Sequence, residues 1–189
     1  MDDDRLKWDE RYGGEEFLLG IEPSAFLREN IEQLKSLCPG RRALDIACGE
    51  GRNSIFLARH GFLVTAVDIS EKGVEKGRRR CEEEGIGVDF RLADIESYTI
   101  TESYDLILNF NFLLRELIPK LAAALNSGGL LVFDTLLDSP LLEGVHNKLY
   151  LLQPGELRKL FAGFPGKILH YEERALAESP TARLIFQKQ

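Results

Sequence analysis

The sequence predicts an α/β protein built on a doubly wound sheet with helices on both faces, and three observations predict it. From residue 43 onward, short apolar runs rich in β-branched residues alternate with stretches of helical spacing. Such alternation is what parallel strands joined by crossover helices produce. The first run, Ala43 to Ala47, passes straight into Cys48-Gly49-Glu50-Gly51 and a helix, and acids recur at later strand ends, at Asp68 and Asp94.

Taken in order, the chain opens with an acidic, amphipathic lead-in from Asp2 to Phe17 and a helical stretch from Ser24 to Leu37, broken by Cys38-Pro39-Gly40-Arg41-Arg42. Ala43 to Ala47 is a strand, Gly51 to Arg59 a helix carrying Ile55, Leu57 and Ala58, and Phe62 to Val67 a strand. Ser70 is placed to cap a charged helix ending near Glu84, with Glu71 and Glu75 in its early turns. Val88 to Ala93 and Tyr104 to Asn109 are further strands. Leu113 to Leu125 has helical spacing and is closed by Asn126-Ser127-Gly128-Gly129 before the strand Leu130 to Leu136. The remainder offers a helix, Gly155 to Phe161, and strands Lys167 to Glu173 and Ala182 to Gln187. The whole, residues 1–189, is expected to be one domain, with residues 1–37 as an N-terminal helical cap and 41–189 as the α/β core.

Composition excludes several function classes. With 24 Lys and Arg against 31 Asp and Glu, the chain carries a formal charge of -7 and lacks the basic footprint of a nucleic-acid binder. Arg78-Arg79-Arg80 is answered four residues later by Glu82-Glu83-Glu84, which suggests a neutralised, solvated helix face. The expectation is no nucleic acid, no membrane, and a monomer or homodimer in the cytoplasm. The acidic start is unlike a secretory signal, and Cys38, Cys48 and Cys81 form neither a disulfide framework nor a zinc pattern. His60, His146 and His170 are isolated, so no metal is expected.

The stretch that carries chemistry is Leu44-Asp45-Ile46-Ala47-Cys48-Gly49-Glu50-Gly51. Glycines let the backbone approach a ligand, and a helix N-terminus offers free N–H groups to an anion. Asp68, nineteen residues beyond Gly49, stands where a carboxylate reaches the two hydroxyls of a ribose. A nicotinamide site normally has a third glycine, where this chain has Ser54, and no acid inside the first strand, where it has Asp45.

The glycine turn, the Asp68 strand end and Ala93-Asp94-Ile95 resemble motifs I, II and III of the class I S-adenosylmethionine-dependent methyltransferases. With Trp8-Asp9-Glu10-Arg11-Tyr12 and Pro154-Gly155-Glu156-Leu157-Arg158-Lys159-Leu160-Phe161, the chain resembles the tellurite-resistance (TehB-like) branch of small-molecule methyltransferases. The resemblance implies a Rossmann-like seven-stranded sheet whose antiparallel last strand is supplied by Ala182 to Gln187. It implies an enzyme moving a methyl group by SN2 displacement from S-adenosylmethionine to a small-molecule acceptor. A cofactor-binding domain without turnover, or a nicotinamide oxidoreductase, is the alternative.

Residue by residue, the resemblance implies that Ala47, Cys48, Gly49 and Gly51 line the methionine part of the cofactor and Asp45 its amino group. Asp68 takes the ribose, Ile69 packs on adenine, Asp94 accepts from the exocyclic amine and Ile95 covers the ring. Asn109 and Phe110 face the methyl, and Trp8, Arg11 and Tyr12 lie over the cofactor. A satisfied structural acid is the rival reading of Asp45. Residues 1–20 form either a lid hinged at Gly13-Gly14 and Gly20 or a docked helix. No catalytic base is indicated. The chain departs from amine- and amide-methylating relatives in having Asn109-Phe110-Asn111-Phe112 without prolines, and from tellurite-branch members in having Glu173-Arg174 rather than a His-Arg pair.

Overall fold

Parallel strands buried on both faces need apolar side chains at nearly every position, and the strand runs supply them. In the computed structural model, which describes residues 2–143 and 147–189, seven strands form one sheet in the order β3-β2-β1-β4-β5-β7-β6. They are β1 (Arg42–Ile46), β2 (Leu63–Asp68), β3 (Asp89–Leu92), β4 (Tyr104–Phe110), β5 (Leu125–Leu136), β6 (Gly166–Arg174) and β7 (Thr181–Lys188). Strand β7 runs antiparallel to both β5 and β6, as expected for the last strand. His146 lies outside the described residues. Among the described residues, no helix is long and apolar enough to cross a membrane.

The chain divides into two compact units: Met1–Ser36 with Arg41–Thr99, and Leu37–Gly40 with Ile100–Gln189. The first holds β1, β2 and β3 in parallel register, with α1 (Asp2–Tyr12), α2 (Ala25–Leu37), α3 (Arg52–Arg59) and α4 (Glu71–Glu84). Ser70 caps α4 as expected, its hydroxyl accepting from the Gly73 amide at 3.1 Å, and Gly85 closes the helix in the left-handed region at φ 66°. Ile55 from α3, Val74 and Cys81 from α4, and Ala66 and Phe90 from the sheet form the core that seats both helices.

The second unit contains β4 to β7, α5 (Ile118–Ala124) and α6 (Glu156–Phe161). Phe161 of α6 packs against Phe133 and Phe186, with ring centroids 6.2 and 5.3 Å apart. The helix expected over Leu113 to Leu125 is shorter. Pro119 has no N–H to give and is tolerated only in a first turn, so α5 begins at Ile118, behind a 3-10 turn over Arg115–Leu117. Asn126 to Gly129 do not close a helix but lie in an irregular start to β5. The β4–β5 register jumps from Tyr104 opposite Leu125 to Leu106 opposite Leu130. Gly129 sits there because a Cβ would come within 2.9 Å of the Asn126 carbonyl.

The arginine run also differs from expectation. Arg79 and Glu83 are 3.8 Å apart on an exposed face, but Arg78 donates to the Phe90 carbonyl and Arg80 is buried, at 7% exposure. A helix turns about 100° per residue, so three consecutive arginines cannot share one face.

Candidate cofactor site

Strand β1 ends in a turn with unusual backbone geometry. Ala47, Gly49 and Gly51 all have positive φ, at 53°, 55° and 77°. A non-glycine residue there is strained, and such strain persists only where the surroundings enforce it. The Cys48 amide donates to Val67 of β2 at 3.1 Å and the Gly51 amide to the Cys48 carbonyl at 3.0 Å. The glycines are also demanded by space. A Cβ on Gly49 would lie 2.6 Å from the Tyr12 hydroxyl, and one on Gly51 would lie 2.5 Å from the Phe90 ring.

Asp68, at the end of β2, has both carboxylate oxygens engaged by backbone. Oδ2 accepts from the Gly49 amide at 2.7 Å and Oδ1 from the Ser70 amide at 2.9 Å. It thereby ties the glycine turn to the start of α4. Burial pushes its pKa up, opposed by the amides of Ser70, Gly49 and Ile69. Four lone-pair positions on a carboxylate less three amides leave about one for a ligand.

Asp45 is buried within β1 and accepts from the Ser54 hydroxyl at 2.6 Å. The third glycine of a nicotinamide fingerprint is therefore replaced here by a hydrogen-bond donor with a defined partner. Burial pushes the Asp45 carboxyl up to about 7, with Ser54 acting against it. A carboxyl raised in the folded state favours folding fully below its unfolded value near 4, and that contribution fades as pH rises towards 7. The slope is at most about 1.4 kcal/mol per pH unit. Asp45→Asn, which retains an acceptor for Ser54, is expected to lose less stability than the wild type between about pH 4 and about pH 7, measured by urea denaturation. Parallel curves for the two proteins would remove Asp45 as the titrating group.

Beyond β3, Asp94 is half-buried and folds back on itself, its Oδ1 accepting from the Glu96 amide at 3.0 Å. Ile95 is buried and Ile69 half-buried. Helix α1 is docked. Asp9 accepts from the Ser70 hydroxyl at 2.6 Å and the Lys72 amide at 3.2 Å, so it supplements the cap of α4. Burial works the other way, but those hydrogen bonds and Arg5 hold Asp9 below the usual carboxylate range. Tyr12 is buried over Gly49, and burial together with Asp68 raises its phenol, which stays neutral. Trp8 stacks on Tyr12 at 5.6 Å on one side, and the exposed Arg11 lies 4.7 Å from its ring. The first unit thus brings together Trp8, Tyr12, Asp45, Ala47, Cys48, Gly49, Gly51 and Asp68, with Arg11 at the margin.

Asn109 and Phe110 end β4 in the second unit, both buried. The Asn109 amide donates to the Phe112 carbonyl at 2.6 Å, closing the turn in which Asn111 adopts φ 53°.

Residues 43–129 match the family model described as a methyltransferase domain. The chain is 33% identical over 112 residues to "Ubiquinone biosynthesis O-methyltransferase" of Coxiella burnetii, covering 56% of this chain and 47% of that one. It is 36% identical over 94 residues to the probable S-adenosyl-L-methionine-dependent methyltransferase TehB of Haemophilus influenzae, covering 48% and 32%. The chain therefore spans about half or less of these relatives' lengths. The crystal structure of Haemophilus influenzae TehB superposes with a TM-score of 0.75 at 22% identity over 88% of this chain and 63% of that chain. The N-methyltransferase NodS of Bradyrhizobium japonicum, in complex with S-adenosylhomocysteine, gives 0.73 at 18% identity over 97% of both. These structures establish the class I methyltransferase fold. Around the glycine turn, the structure adds four residues that sequence reasoning missed: Asp9, Ser54, Glu50 and Lys76. Only Ser54 left a signal, as the non-glycine in a glycine's place.

Proposed function

We propose that this chain is a cytoplasmic S-adenosylmethionine-dependent methyltransferase acting on a small-molecule acceptor. The observation that carries the reading is Asp68. Its two oxygens hold the amides of the glycine turn and of the start of α4, which fixes a carboxylate at the end of β2, where it can accept from a ribose hydroxyl. Without a Cβ at Gly49 or Gly51, the Tyr12 hydroxyl and the Phe90 ring pack directly against the turn and hold its backbone in place. S-adenosylmethionine, when bound, supplies an electrophilic methyl on a sulfonium sulfur.

In this reading Asp45 faces the amino end of the methionine, and Ala47, Cys48, Gly49 and Gly51 line its chain. Ile69 and Ile95 cover adenine, and Asp94 has one carboxylate oxygen left for the exocyclic amine. Tyr12 and Trp8 exclude water from above, with Arg11 outside them. Asn109 and Phe110 are kept as the fourth-strand contribution that the family resemblance implies. The protein's work is alignment and exclusion of water.

Calorimetry tests the reading. S-adenosylhomocysteine is expected to bind and to raise the thermal midpoint, because a ligand selective for the folded state must do so. NAD binding of comparable strength would overturn the cofactor class, and the absence of methyl transfer across a panel of phenols, amines and carboxylates would overturn the enzyme. Among the described residues no cluster of three His, Cys, Asp or Glu is placed to hold a metal. Binding and turnover are therefore expected to survive EDTA, and activity lost in EDTA and restored by a divalent cation would refute a metal-free site.

A further inference from the structure

Residues 13–24, between α1 and α2, contain neither helix nor strand, so their backbone groups must find partners elsewhere. They find them on side chains next to the proposed cofactor turn. The Leu18 amide donates to Glu50 Oε2 at 2.7 Å and the Ser24 amide to Asn53 Oδ1 at 2.9 Å. The carbonyls of Glu16, Leu19 and Ile21 accept from Lys76 at 2.7 Å, Arg52 at 3.1 Å and Arg80 at 3.1 Å. Phe17 lies beneath both cations, 5.4 Å from Lys76 Nζ and 5.9 Å from Arg80 Cζ.

Glu50 is the hub of this arrangement and the middle residue of Gly49-Glu50-Gly51. Its other oxygen, Oε1, pairs with Lys76 at 2.8 Å, the two side chains being 5% and 12% exposed. A buried carboxylate is costly unless every oxygen is answered, and here one is answered by α4 and the other by the 13–24 segment. A flexible, two-glycine turn is thereby held on two sides by one side chain. The same segment continues from α1, whose Tyr12 rests on Gly49.

We propose that Glu50 is a positioning residue: by bridging Lys76 and the Leu18 amide it sets the glycine turn and the overlying Trp8–Tyr12 helix in their cofactor-binding arrangement, and so sets affinity for the adenosyl-sulfur cofactor. This rests on reading the turn as the S-adenosylmethionine site.

The test compares wild type, Glu50→Gln, Lys76→Met and the double variant. Each is measured for S-adenosylhomocysteine affinity by calorimetry, for emission of Trp8, the chain's one tryptophan, and for thermal midpoint. Glu50→Gln keeps an acceptor for Leu18 but leaves a buried ammonium unpaired, and Lys76→Met leaves a buried carboxylate unpaired. Each single variant, assayed well below its midpoint, is expected to bind at least tenfold more weakly and to shift Trp8 emission to longer wavelength without ligand. The double variant, with no unpaired charge, is expected to recover most of both. Affinity within twofold of wild type in folded Glu50→Gln would overturn the proposal, as would a double variant no better than the singles. Wild type that fails to bind S-adenosylhomocysteine would overturn the methyltransferase reading and this proposal with it. Wild type that binds while Glu50→Gln binds equally overturns the role of Glu50 alone.

Discussion

Replacing Asp68 with Ala is expected to weaken S-adenosylhomocysteine binding by about 2 to 3 kcal/mol, roughly 30- to 150-fold. The loss has two sources that act together. The charge-assisted acceptors proposed for the ribose disappear, and the Gly49 and Ser70 amides, both buried, lose the acceptor that fixes the turn against α4. Asp68→Asn separates them. An asparagine has one carbonyl oxygen and an amide that can only donate, so it can satisfy one of the two backbone amides and presents the wrong partner to the other. Its affinity should fall by about as much as that of the alanine variant if charge dominates, and by about half as much in kcal/mol if geometry does. Calorimetry at matched ionic strength decides, and unchanged affinity in Asp68→Ala would remove Asp68 from the site.

Gly51→Ala is expected to destabilise the fold by about 2 to 5 kcal/mol, independently of any ligand. A φ of 77° costs an alanine about 1 to 2 kcal/mol, and its Cβ would meet the Phe90 ring at 2.5 Å, adding overpacking of about 1 to 3 kcal/mol. The clash is relieved only if the ring turns, and Gly77 packs against the same ring, where a Cβ would lie 2.6 Å away. The two contributions can be parted by repeating the substitution in a Phe90→Leu background. There the steric share should shrink while the backbone share persists, as read from urea midpoints at constant m-value. A loss below about 0.5 kcal/mol in the original background would show that Phe90 does not hold its place.

Most of the architecture was legible because strand and helix write different periods into sequence. Each strand of the sheet has a counterpart in the sequence reading, and the Ser70 cap and the Gly49 to Gly51 turn are visible as local signals. What escaped was of two kinds. Local rules competed in the Leu113 to Gly129 stretch. There, helical spacing, a proline and a pair of glycines all made claims, and pairing of Leu125 with Tyr104 across the sheet extended β5 into residues that looked like a helix end. The polar wiring of the site escaped for a different reason. Glu50 with Lys76 and Asp9 with Ser70 are separated by 26 and 61 residues, and nothing in a linear period couples them. Ser54 and Asp45 are only nine apart, yet they meet because a strand and the helix after it fold back to back, which no single-element pattern encodes. The arginine triplet misled because charge balance along a helix was taken for solvation, whereas Arg80 uses its length to reach a carbonyl.

The sulfur of Cys48 stands in the proposed site's own turn, between two acids. Burial, with Asp68 and then Asp45 adding to it, pushes this thiol far above its ordinary range, and its only described hydrogen-bond contact is with the Gly49 carbonyl at 3.7 Å. Nucleophilicity belongs to the thiolate, and a thiolate beside a sulfonium methyl would be an acceptor competing with any substrate. In the proposed reading, burial first and the two acids second hold Cys48 as the thiol, the form that does not compete with a substrate for the cofactor's methyl.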